Sequence, residues 1–113
     1  MNKKELNSTP KLEFLLIGRN IGILSILERL VNAYDDWHAV GFSEESLAKD
    51  YFTEHRLDFV MLSSGIDADM EKRLRAFFAD LRLEVEIIQH YGGGSGLLRS
   101  EILEAIDKAG KKV

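Results

Sequence analysis

Leu57-Asp58-Phe59-Val60-Met61-Leu62-Ser63-Ser64-Gly65-Ile66 is the stretch around which the rest of this chain can be placed. It is a short, almost unbroken apolar run that opens into a small, polar, glycine-containing turn. A strand with one wet face alternates apolar and polar side chains, whereas a strand covered on both faces does not. The run therefore reads as the central strand of a parallel sheet, with its turn at the carboxyl edge of that sheet.

On its N-terminal side, Leu12 to Ile17 (Leu-Glu-Phe-Leu-Leu-Ile) is a second such run, stopped by Gly18. Ile23, Leu27, Leu30, Val31 and Tyr34 then recur at helical spacing, which predicts an amphipathic helix from about Gly22 to Tyr34, ended by Asp35-Asp36. Trp37 to Phe42 reads as a short strand. Ser43 followed by Glu44 and Glu45 predicts a helix start, with a hydroxyl cap and carboxylates at the positive end of the dipole. Leu47, Ala48, Tyr51 and Phe52 line that helix, and His55 closes it at the negative end.

On the C-terminal side, Asp67 is the expected cap of a third helix, with Asp69 and Glu71 in its first turn. Met70, Leu74, Phe77, Phe78 and Leu81 form its apolar stripe. Glu84 to His90 predicts a fourth strand. The run Gly92-Gly93-Gly94-Ser95-Gly96 leads into a last helix lined by Leu98, Ile102, Ala105, Ile106 and Ala109. Strands alternating with helices in this way predict a three-layer α/β/α sandwich on a parallel sheet. Ligands of such sheets bind at the carboxyl edge, here the turns Gly18-Arg19-Asn20, Gly41-Phe42-Ser43, Ser63 to Asp67 and His90 to Gly96.

Composition narrows the function classes. There is no cysteine, so disulfides and thiolate metal sites are excluded. The net charge of −4 is spread along the chain with mixed sign, which argues against a nucleic-acid-binding face. No apolar run approaches the roughly 20 residues of a membrane span, and no apolar segment follows Met1-Asn2-Lys3-Lys4-Glu5 to make a secretory signal. The expectation is a cytoplasmic protein with a flexible leader over residues 1–11 and one domain over residues 12–113.

Among candidate sites, the glycine run before the last helix offers backbone N–H groups to an anion. With Arg19, Ser63 and Ser64 on the same edge, the possible anion-binding set is Arg19, Ser63, Ser64, Gly93, Gly94, Ser95 and Gly96, suited to a small anion or a nucleotide phosphate. The run has neither the dinucleotide fingerprint nor a P-loop lysine, and a flexible loop needing positive φ is its bland reading. Ser63 or Ser64, His90 and Asp67 lack a nucleophile elbow, so no catalytic residues are assigned. His38, His55 and His90 fall on separate elements, so no metal or other cofactor is expected.

The order of segments resembles the receiver domains of two-component response regulators, carried on Phe14-Leu15-Leu16-Ile17-Gly18-Arg19-Asn20, on Leu57 to Ser63 and on Glu104-Ala105-Ile106-Asp107-Lys108-Ala109-Gly110. The resemblance implies a flavodoxin-like sheet of order 2-1-3-4, with the last helix as the family's fourth. It also implies that Gly18 and Arg19 replace the acids that hold Mg²⁺, that Ser63 replaces the phosphoacceptor aspartate, and that His90 replaces a hydroxyl residue. The fifth strand has no counterpart before Val113. The reading that follows is a degenerate pseudo-receiver, not an enzyme and not phosphorylated by the family's chemistry, since carboxylate phosphorylation needs the metal. It is expected to work as a signalling or protein-interaction module. An edge left open by the missing strand would pair with a partner, most simply a second copy in a homodimer.

Overall fold

The computed structural model describes residues 11–81, 85–90 and 95–110, without the side chains of Ser95 and Gly96. Its four strands, β1 (Leu12–Ile17), β2 (Trp37–Phe42), β3 (Phe59–Leu62) and β4 (Glu86–Gln89), are parallel and lie in the order β2-β1-β3-β4. Helices α1 (Ile21–Asn32), α2 (Glu45–Glu54) and α3 (Ala68–Leu81) connect them, and α4 (Ser95–Lys108) follows β4. This is the flavodoxin-like α/β arrangement expected.

The continuous apolar runs are explained by cover on both faces. Phe14 and Leu16 of β1, with Phe59 and Met61 of β3, face α1 and α4, while Leu15, Ile17, Val60 and Leu62 face α2 and α3. All four β3 side chains are buried. Phe14 stacks on Phe59 with ring centroids 5.1 Å apart and meets Trp37 at 5.8 Å. Burying each such ring contributes about 2–3 kcal/mol, so this trio anchors the first face.

Right-handed crossovers account for three of the helix positions. The chain steps one way from β1 to β2 and the other way from β2 to β3 and from β3 to β4. Helix α1 is therefore on one face, and α2 and α3 on the opposite one. The last helix corrects an expectation. Leu98, Ile102, Ala105 and Ile106 of α4 join the cluster of α1, so α4 occupies the face opposite α3. There it covers Phe14, Leu16, Phe59, Met61 and Ile88 together with α1.

Smaller corrections have local causes. The chain stays extended one residue further than expected after β2. Glu44 then takes the N-cap position of α2 without a side-chain bond, and Ser43 lies too far out to cap. Helix α1 ends at Asn32, and Leu24, not Ile23, joins Leu27 and Val31 in its buried stripe. Leu47 and Leu81, expected in the core, are about half exposed at 50% and 51%. Asp67 does cap α3, its Oδ1 accepting the Met70 N–H at 2.8 Å.

No fifth strand is found among the described residues, so β2 and β4 are both sheet edges. No described helix is long and apolar enough to cross a membrane.

Candidate functional site

The carboxyl edge brings the expected turn residues together in part. Ile17 pairs with Leu62 and Leu62 with Gln89, so Gly18, Ser63 and His90 are consecutive neighbours across the sheet. The Ser63 N–H donates to Ile17 O at 2.8 Å, the His90 N–H to Leu62 O at 2.9 Å, and the Arg19 N–H to Ser64 O at 2.9 Å. A Cβ on Gly18 would lie 3.1 Å from Ser63 Cβ and 3.4 Å from its Oγ. The missing side chain lets the strand ends close, and the volume an acid would need at residue 18 is filled by Ser63.

The side chains do not converge on a ligand. Ser63 is buried, and its Oγ finds no hydrogen-bond partner among the described residues. The His90 ring turns away toward α4, where Nδ1 lies 2.5 Å from Glu101 Oε1. Asp67 is engaged as a helix cap. Ser63, His90 and Asp67 therefore assemble no nucleophile, base and orienter. Arg19 is exposed, with Nη1 3.7 Å from Met70 Sδ. It shares a cleft of about 350 Å³ with Ile21, Ser43, Glu44 and Glu45. Glu45 is held down to about 2 by hydrogen bonds from Arg73 and then Lys49, so it is charged throughout the ordinary pH range. With Glu45 engaged by Arg73 and Lys49, the cleft sets Arg19 beside the carboxylate of Glu44. Gly93 and Gly94 lie outside the described residues, and Ser95 and Gly96 open α4.

The histidines are dispersed. His38 Nδ1 lies 2.6 Å from Glu13 Oε1, and the His55 ring meets Tyr51 O at 3.0 Å, closing α2 as expected. No group of three or more potential metal ligands occurs among the described residues.

The two sheet edges are unequal, and this the sequence reading missed. Along a strand, the N–H and C=O groups of alternate residues point to opposite sides. In β2 the residues that point away from the sheet are Trp37, Ala39 and Gly41, since Asp36 O and Phe42 O pair with β1. Each outward N–H is satisfied. The Trp37 N–H donates to Tyr34 O at 3.2 Å, the Ala39 N–H to Asn32 Oδ1 at 2.9 Å, and the Gly41 N–H to Glu28 Oε2 at 3.0 Å. Asn32 Nδ2 also donates to Ala39 O at 2.9 Å, so its amide imitates a neighbouring strand residue. Two polar residues one turn apart on α1, beside its apolar stripe, were the signal for this plug.

At β4 the pattern is the reverse. The Glu86 and His90 N–H groups donate to Asp58 O and Leu62 O, so Ile87 and Gln89 direct their N–H and C=O groups outward. No hydrogen bond to these four main-chain groups is found among the described residues. They border a groove of about 140 Å³ between β4 and the flank of α4 that carries Glu101, Glu104, Ala105 and Lys108. This open edge and its groove are the strongest candidate site in the molecule.

No protein-family model and no curated protein matches the chain.

Proposed function

We propose that this chain is a non-enzymatic interaction module of receiver-like architecture that engages a partner by strand addition at β4. One observation carries the reading: each outward N–H of β2 is bonded, two of them by α1 side chains, while the outward N–H and C=O groups of β4 find no partner among the described residues and border a groove. Sheet edges with free N–H and C=O rows template pairing, and proteins that do not use them blunt them. Independence from phosphorylation is supported by Gly18, Arg19 and Ser63 at the positions where the resemblance calls for acids, and by the tight approach of Gly18 to Ser63.

The test is amide chemical-shift mapping with a pool of extended hexapeptides of mixed composition. Perturbations and slowed exchange centred on Ile87 and Gln89 support strand addition; shifts confined to the carboxyl-edge turns, or none at all, count against it. In parallel, acetyl phosphate with Mg²⁺ is expected to leave the mass of the protein unchanged, and a phosphate adduct would overturn the pseudo-receiver part.

A further inference from the structure

We infer that the occupant of the β4 edge is an extended segment of another protein in which Lys or Arg alternates with apolar residues. The inference rests on the strand-addition reading and adds the chemistry of the partner.

The two flanks of the edge differ in kind. Ile88 packs with the α1 and α4 cluster, so Glu86, two residues away on the same strand face, lies on the α4 side. There it joins Glu101 and Glu104 along the groove, with Lys108 as the one cation among the groove-lining residues. On the opposite face, Val85 and Ile87 are half-buried against the α2 and α3 cluster and present apolar surface at the edge. An added strand sends successive side chains to opposite faces. One set would meet the carboxylates of Glu86 and Glu104 and the Lys108 ammonium, with Glu101 beside them already bonded to His90, and the other would extend the apolar cluster. Opposite charges across neighbouring strands stabilise and like charges destabilise, so the first set should be basic and the second apolar.

The same charges argue against a second copy of this chain. Pairing β4 with β4 across a two-fold axis keeps the α4 faces of both copies on one side of the joined sheet. Besides the two copies of Glu101, each bonded to His90, that seam would gather Glu86 and Glu104 twice, four carboxylates, against two lysines. A basic strand brings the opposite sign to the same groove and associates faster and more specifically for it.

The experiment uses the full chain and three synthetic octapeptides: alternating lysine and valine, alternating glutamate and valine, and lysine and valine in two separate blocks. Binding is read by fluorescence anisotropy at low and high salt, and its location by the Ile87 and Gln89 amide signals. The lysine–valine alternation is expected to bind at the edge, to weaken with salt, and to lose about tenfold or more in affinity when Glu86→Lys and Glu104→Lys are combined. Equal binding of the glutamate and lysine peptides, or no loss in the double variant, overturns the charge inference and leaves strand addition standing. Equal binding of the blocked peptide overturns the alternation. Failure of all three peptides at the edge sinks both readings. Concentration-dependent self-association in sedimentation, with Ile87 and Gln89 amides protected in the absence of peptide, puts a second copy on the edge and overturns the inference. Circular dichroism of the double variant establishes that it is folded. The comparison between peptides on the unmodified chain needs no variant.

Discussion

Substituting Gly65 by alanine probes the contact that joins the β1 and β3 turns. Gly65 has φ of +87°, a conformation that L side chains avoid, and a Cβ there would lie 2.8 Å from Arg19 Cβ and 3.4 Å from Arg19 Cα. The left-handed backbone costs about 1–2 kcal/mol for a residue with a Cβ, and forcing an extra carbon into a filled space costs about 1–3 kcal/mol. Together Gly65→Ala should cost about 2–5 kcal/mol. At the urea slope of a domain this size, the midpoint falls by about 1–2 M. The two causes separate in a double-mutant cycle, because Arg19→Gly removes the colliding Cβ and leaves the backbone strain. In that background Gly65→Ala should cost only about 1–2 kcal/mol. The assay is equilibrium urea unfolding followed by circular dichroism, with the slope required to stay constant. An equal cost in both backgrounds refutes the collision, and a cost below about 0.5 kcal/mol in the wild-type background refutes the whole argument.

Three further outcomes are expected. Ser63→Ala should be neutral or stabilise by up to about 1 kcal/mol, because a buried hydroxyl with no partner among the described residues is removed; a clear loss in thermal unfolding would reveal a hydrogen bond to Ser63. Asp58→Ala should destabilise by about 2–4 kcal/mol, since the buried carboxylate accepts the Glu13 N–H at 2.8 Å and the Arg56 guanidinium at 2.9 Å. Urea unfolding of Asp58→Ala measures that cost, and a loss below about 1 kcal/mol would show the bonds to be dispensable. For Glu45 the folded pKa is depressed from 4.5 to about 2, so its contribution is present above pH 4.5 and is lost as pH falls through about 2. Glu45→Gln should therefore cost about 0.5–1 kcal/mol at neutral pH, discounted for its surface setting. The gap should close in acid, and a gap independent of pH would dismiss the Arg73 and Lys49 pairing as its source.

Much of the fold was legible because its signals are local. The nearly continuous apolar runs at Leu12–Ile17 and Phe59–Leu62 read as strands covered on both faces, and Asp67 sits where a cap must accept an amide. The candidate site was legible only in outline. The sequence pointed to an open edge after the fourth strand, but its strongest local patterns drew attention to the carboxyl-edge turns. There, burial of Ser63 and the pull of Glu101 on His90 leave no converging site.

Helical spacing told that the last segment has an apolar stripe, but it carries no information on which sheet face receives that stripe. Handedness settles a helix between two parallel strands, and α4 has no following strand among the described residues to invoke the rule. Tertiary packing alone put α4 beside α1, and with it Glu101, Glu104 and Lys108 along the β4 edge. The difference between the two edges is tertiary for the same reason. Strand composition determines that a strand is at home in a sheet, while Asn32 and Glu28 seal β2 only because a helix lays them against it.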